Sequence, residues 1–214
     1  MSKSRGHIVL LGDSIFDNGA YVSGGPDVVA QLRSRLPQGW EATLLAVDGA
    51  VTADVPRQLG GIPVEATHLV VSAGGNDALG ASGILAEKAS SVSDAVQRLA
   101  VARDRFCAKY ENMLAAVLGW RLPSALCTIY DANYPEPQAK VIAAALTLFN
   151  DVITRCAFRR GLPLIDLRLI CDKPSDYANP IEPSVQGGDK IARAIAQVIQ
   201  APATAPHSIV IASP

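Results

Sequence analysis

The chain predicts a three-layer α/β/α sandwich built on a five-stranded parallel sheet. Three observations carry that expectation: short apolar runs of strand length, a helix-like stretch after each, and a cluster of Gly, Asn, Asp or Ser where several of the runs end. A parallel strand is covered on both faces, so it reads as a continuous apolar run rather than as an alternation. The segment HLVVS at His68–Ser72 has that character.

Taken in order, His7–Leu11 is the first strand, and Pro26–Leu36 follows as a helix with Pro26 in its first turn and Val28, Val29 and Leu32 on one side. Glu41–Val47 is the second strand, Thr52–Leu59 a short helix, and His68–Ser72 the third strand. Val92, Val96, Leu99, Phe106, Tyr110, Met113 and Val117 then recur at three- and four-residue spacing, a long helix whose stripe is interrupted by Arg103. That interruption predicts a kink or break there. Ser124–Tyr130 is the fourth strand, and Ile142, Ala145, Phe149, Val152 and Cys156 stripe a second long helix that Gly161 ends. Leu162–Leu167 is the fifth strand and Gly188–Gln200 the last helix. Residues 1–200 read as one domain, and 201–214 as a Pro- and Ala-rich tail, disordered or packed on an edge through Ile209–Ile211. Right-handed crossovers restrict five such strands to the flavodoxin-like topology or a close variant.

Composition narrows the function. The 214 residues are 49% hydrophobic and 18% charged, with a net charge of −1, so no electrostatic footprint for nucleic acid is expected. Met1–Gly6 runs into an apolar stretch too short for a signal peptide, and the longest apolar runs, such as Val141–Phe149, are about half a membrane span. A cytoplasmic location without membrane contact is the expectation. Cys107, Cys127, Cys156 and Cys171 form no CxxC pair and have no His nearby, which predicts free buried thiols and neither metal nor cofactor. No GxGxxG or GxxxxGK[ST] motif follows a strand, against a dinucleotide or phosphate site.

In such sheets ligands bind at the carboxyl ends of the strands. Gly12-Asp13-Ser14 follows the first strand, Asp48-Gly49 the second and Gly74-Gly75-Asn76-Asp77 the third. Taken singly, each is an ordinary polar turn. Together they place a serine hydroxyl, the Ser14 and Gly49 amides and the Asn76 side-chain amide at one edge, and donors fixed in place are what a developing oxyanion requires. Asp17, Asn18, Asp131 and Tyr134 are expected near the same edge as substrate-binding residues, with polar loop or capping roles as the alternative.

These blocks resemble the SGNH or GDSL hydrolases, a family of esterases, lipases, thioesterases and carbohydrate deacetylases. Gly12-Asp13-Ser14-Ile15 is similar to the first family block, Val47-Asp48-Gly49 keeps the glycine of the second, and Gly74-Gly75-Asn76-Asp77 matches the third. The resemblance implies Ser14 as nucleophile and Ser14, Gly49 and Asn76 as oxyanion donors. It departs at the fourth block, where the family has Asp-x-x-His-Pro. Here the chain reads Asn179-Pro180-Ile181-Glu182-Pro183, which puts Glu182 at the histidine position and Asn179 at the aspartate position. A shifted alignment uses Asp176 as the acid and still supplies no imidazole.

No other histidine stands in. His7 and His68 begin strands one and three, roughly 15–25 Å from Ser14 at about 3.3 Å per residue. His207 follows a helix that runs away from the edge, and reaches Ser14 only through a folded-back tail or a second subunit. Glu182 is then either a base oriented by Asn179 or a cap on the last turn. An ordinary Glu is about two pKa units less basic than His, a deficit of roughly 3 kcal/mol that burial can offset. The reading is a serine hydrolase or acyltransferase acting on a small ester, thioester or O-acyl sugar. The alternative is a non-catalytic protein that binds such a ligand.

Overall fold

The computed structural model describes residues 6–200 and 210–211. Five parallel strands form at the expected places: β1 (His7–Gly12), β2 (Glu41–Leu44), β3 (His68–Ser72), β4 (Ser124–Cys127) and β5 (Leu164–Ile165). Their order is β2-β1-β3-β4-β5, and a two-residue strand, Val210–Ile211, joins the β5 edge in parallel. The sheet is thus the expected one extended by two tail residues, with Val210 in register with Leu164 and Ile211 with Ile165. His207 lies outside the described residues.

Alternation along each strand divides the core in two. Ile8, Leu10 and Val70 face helices α1 (Val28–Arg35) and α7 (Val185–Gln200). Val9, Leu11, Leu69 and Val71 face α2 (Val55–Gln58), α4 (Val92–Leu118) and α5 (Gln138–Arg159). The remaining helices are α3 (Gly75–Ala81) and α6 (Leu167–Ile170), and a small antiparallel pair, β6 (Tyr177–Asn179) with β7 (Glu182–Pro183), precedes α7. Of the four cysteines, Cys127, Cys156 and Cys171 are buried and Cys107 is half-buried, all as free thiols.

Two expectations change. Helix α4 is continuous through Arg103, whose guanidinium turns out to Asp104 instead of entering the core, so the polar interruption does not break the helix. The longest apolar runs fall short of a span, yet α5, 22 residues long, is apolar enough to cross a membrane by length and composition. Lys140, Asn150 and Asp151 interrupt its runs, and Phe149, Val152 and Ile153 are buried against the sheet.

Helix length creates space at one end of the sheet. The 27 residues of α4 span about 40 Å, whereas the five of β3 span about 17 Å. The first halves of α4 and α5 therefore overhang the carboxyl edge. Their buried residues begin only at Phe106 and Leu146; Val92 and Val96 are exposed although their spacing places them on the core stripe, and Val141 is exposed beside Ile142. Two side-chain amides fix the edge itself. Gln58 exchanges a pair of hydrogen bonds with the Gly12 backbone at 2.8 and 2.7 Å. Asn150 does the same with Ile129, both at 2.8 Å.

Candidate active site

The strand order reverses direction at β1, which lies between β2 and β3, and the crevice at that switch point is where α/β sheets place ligands. Gly12 turns the chain there at φ +127, and a Cβ on it would stand 1.7 Å from the Ser72 carbonyl oxygen. Only glycine fits. The turn delivers Ser14 to a site where its Oγ donates to Glu182 Oε1 at 3.0 Å, across 168 residues of sequence.

Glu182 reaches the serine because its loop is tied down on several sides. Asn133 N donates to Pro180 O at 2.8 Å, the Tyr130 hydroxyl to Ile181 O at 2.6 Å, and Asn18 Nδ2 to Pro183 O at 3.1 Å. The glutamate is 6% exposed. Burial pushes its carboxyl up to about 7; the Ser14 hydroxyl's donation lowers it and the nearby charge of Asp48 raises it further. Its Oε2 is buried without a hydrogen-bond partner among the described residues. Asn179 does not orient it. The Asn179 side chain accepts from Ile181 N at 2.9 Å, the local turn that an Asn at a hairpin entrance favours, and stays exposed. Asp176, the alternative acid, is held by Lys190 at 2.7 Å and by Lys173 N at 2.9 Å.

A second carboxyl adjoins the pair. Asp13 is 3% exposed, accepts from Ile15 N at 3.2 Å, and lines the same cavity as Ser14 and Glu182. Burial drives it up to about 7, eased by the Ile15 amide and reinforced by the negative charges of Glu182 and Asp77. In the sequence it stands in the Gly12-Asp13-Ser14 turn with no role assigned to it. The available signal was an acid placed between a steric glycine and the serine, at the end of a wholly buried strand.

Asn76 lines the cavity and donates to Ala50 O at 2.9 Å, leaving its second side-chain N–H for another acceptor. Neither the Ser14 nor the Gly49 amide has a protein partner among the described residues. Gly49, at φ +77, lines a neighbouring depression with Val47 and Asp48. The following Asp77 accepts from Thr52 N and Thr52 Oγ1 at 2.8 and 3.0 Å, locking the start of α3 to the loop that carries Gly49.

The four residues expected to touch substrate separate. Tyr134 is on the cavity wall. Asn18 is fully buried and bridges Val28 N to Pro183 O, so it braces the Glu182 loop against α1. Asp17 accepts from Asp48 N at 2.9 Å and shapes the turn before Gly49. Asp131 is exposed outside the wall, its carbonyl taking the Tyr177 hydroxyl. His7 and His68 sit at the opposite ends of their strands, His7 on Thr43 Oγ1 at 2.7 Å and His68 stacked on Trp40.

Residues 10–190 match the sequence profile of the GDSL-like lipase/acylhydrolase family. The chain belongs to that family. No curated protein matches it by sequence. Among solved structures it is similar to the extracellular lipase of Streptomyces rimosus, at 21% identity and TM-score 0.66 over 91% of this chain and 98% of that one. Phospholipase A1 of Streptomyces albidoflavus is similar at 18% identity and TM-score 0.63, over 92% and 98%. The aryl esterase of M. smegmatis is similar at 13% identity and TM-score 0.64, over 91% and 98%. At these identities the structures share the fold of this GDSL-like chain, an α/β sandwich on a parallel sheet.

Proposed function

We propose that this GDSL-like protein is a serine hydrolase in which Ser14 and Glu182 form a two-residue nucleophile and base. The observation that carries the reading is the buried 3.0 Å hydrogen bond from Ser14 Oγ to Glu182 Oε1. A serine hydroxyl is a weak nucleophile unless an adjacent base takes its proton. An ordinary carboxylate is too weak a base for that task, and the burial that lifts Glu182 to about 7 brings it into the range where His works.

In the first half-reaction Glu182 Oε1 takes the Ser14 proton as Oγ attacks the acyl carbonyl. The Ser14 and Gly49 amides and the second Asn76 N–H stabilise the oxyanion. The protonated Glu182 then gives its proton to the departing alkoxide or thiolate, and the acyl group stays on Ser14. In the second half-reaction Glu182 takes a proton from water, or from an acceptor alcohol in transfer, which releases the acyl group and restores the serine. Asn179 takes no part in this scheme.

The unpartnered Glu182 Oε2 favours a second reading, a binding protein whose carboxylate is not oriented for turnover. A fluorophosphonate probe separates the two. The hydrolase reading expects covalent labelling of Ser14 and turnover of aryl esters, both lost in Ser14→Ala, with turnover lost and folding kept in Glu182→Gln. Absence of labelling and turnover between pH 6 and 9 rejects it.

A further inference from the structure

Two of the three oxyanion donors stand on elements that the core does not hold. Helix α3 carries Asn76 and buries none of its seven residues; Ala78 and Ala81 pack half-buried against the apolar cluster. Gly49 is exposed on a turn at φ +77, with nothing within 4 Å of the place a Cβ would take. Apolar packing therefore does not set the distance between the Gly49 amide and the Asn76 side chain. Hydrogen bonds do. Asn76 spends one side-chain N–H on Ala50 O at 2.9 Å, which ties one donor to the residue beside the other. The next residue adds two bonds: Asp77 Oδ2 accepts Thr52 N at 2.8 Å, and Asp77 Oδ1 accepts Thr52 Oγ1 at 3.0 Å. Both partners are shielded from water, the Asp77 side chain 4% exposed and Thr52 fully buried, where a bond to a charged acceptor is at its strongest.

We propose that Asp77 is a positioning residue for the oxyanion: through Thr52 it fixes the Gly49 and Asn76 donors at the separation the charged oxygen requires. This rests on the reading of Ser14 as the nucleophile whose adduct carries that oxygen. Asp77 is not on the cavity wall, so it acts through its chain neighbour Asn76 and through the loop that Thr52 shares with Gly49. Without the two Thr52 bonds, the single bond from Asn76 to Ala50 is a pivot, and α3 has no buried side chain to stop it turning. A donor serves an oxyanion at about 2.7–3.1 Å, and a misplacement of about 1 Å can cost on the order of 10²-fold in rate.

The paired bonds carry the effect, and the charge of Asp77 does not. Its ion-pair partner is Lys109 of α4, at 3.9 Å from Oδ1 and 59% exposed, and a pair so exposed contributes little. Asparagine at position 77 drops the charge and keeps the geometry: its oxygen accepts Thr52 N, and its amide donates to Thr52 Oγ1. Alanine keeps neither bond. Valine at position 52 keeps the backbone bond and removes the hydroxyl one.

Kinetics and ¹⁵N relaxation test the positioning separately. With p-nitrophenyl acetate, Asp77→Ala should lower kcat and kcat/KM alike, by roughly 10–100-fold, with KM within about threefold of the parent. Phenylboronic acid, whose tetrahedral adduct on Ser14 puts an anionic centre at the donors, should bind more weakly by the same factor. Asp77→Asn should return all three to within about threefold of the parent, Thr52→Val should lose roughly 3–10-fold in kcat, and Lys109→Met should match the parent. In relaxation, the Gly49 amide and the Asn76 side-chain amide should be as ordered as rigid backbone in the parent, S² near about 0.85, and should fall toward about 0.6 in Asp77→Ala while the amides of β1 and β3 stay unchanged. A folded Asp77→Ala chain with the parent's kcat, a loss confined to KM, or a loss that Asp77→Asn does not restore overturns the assignment. If Asp77→Ala does not fold, Thr52→Val decides, and the parent's kcat there overturns it. If no ester is consumed and the two amides loosen in Asp77→Ala, the positioning role stands and the Ser14–Glu182 mechanism falls. If turnover depends on Ser14 and the two amides stay ordered in Asp77→Ala, the mechanism stands and the positioning role falls.

Discussion

The protonation state of Glu182 should set the lower pH limit of activity. Only the ionised carboxylate accepts the Ser14 proton, and burial holds that carboxyl at about 7 in place of its ordinary 4.5. For a single ionisation at that value in the free enzyme, kcat/KM falls about tenfold per pH unit on the acid side, to roughly 10% of its plateau at pH 6 and about 1% at pH 5. An ordinary glutamate would leave the rate nearly level down to pH 5.5. The assay is hydrolysis of a p-nitrophenyl ester whose own chemistry is corrected for pH, followed by stopped flow from pH 4.5 to 9. Asp48 supplies the control. Its charge raises Glu182, so Asp48→Asn should move the acid limb to lower pH while leaving the plateau in place. A limb centred below pH 5.5 would refute the assignment of Glu182 as the base.

Asp13 gives a stability prediction of opposite sign to the usual acidic residue. Its carboxyl is raised from 3.8 to about 7 on folding, so the folded chain keeps a proton that the unfolded chain releases. The contribution is complete below pH 4 and disappears as pH rises through 7, a loss of at most about 4 kcal/mol. Asp13→Asn, which keeps an acceptor for Ile15 N, should flatten that slope in urea titrations at pH 5 and 8 and should be the more stable chain at pH 8. Asn76→Ala should lower kcat by roughly 10²–10³ with little change in KM, as measured for single oxyanion donors; a change confined to melting temperature would assign Asn76 to the Ala50 contact alone. Gly12→Ala, which forces a Cβ to 1.7 Å from Ser72 O, should prevent soluble expression or lower the melting temperature by well over 10 °C. The double substitution Asn179→Asp with Glu182→His should move the midpoint of the acid limb toward that of an imidazole; an inert, folded double variant beside an active parent would mean the loop is shaped for a carboxylate.

Strands were legible because a parallel strand leaves no doubt about its surroundings: HLVVS and the run ending at Gly12 are apolar on both faces and are buried on both. The site turns were legible for the same reason, since they follow those runs directly. Helix α3 was not, because GNDALGA buries no residue and so carries no stripe to read. Periodicity assigned Val92 and Val96 to the core stripe although they are exposed, since it records which side of a helix is apolar and not whether a sheet extends far enough to cover it. The cavity was hidden by that same error. Asn18 read as a ligand contact because its type suits one, and only the placement of Pro183, 165 residues away, makes it a brace.

The loop that carries Glu182 is gripped by main-chain atoms: the carbonyls of Pro180, Ile181 and Pro183 accept the Asn133 amide, the Tyr130 hydroxyl and the Asn18 amide, and the Asp176 carbonyl accepts Ser184 N. None of those contacts depends on which side chain occupies position 182. A scaffold fastened in this way separates the address of a catalytic group from its chemistry. Evolution can exchange the proton acceptor there without rebuilding the fold, and a lineage can drift through weakly active or inactive intermediates while the empty post is kept in place.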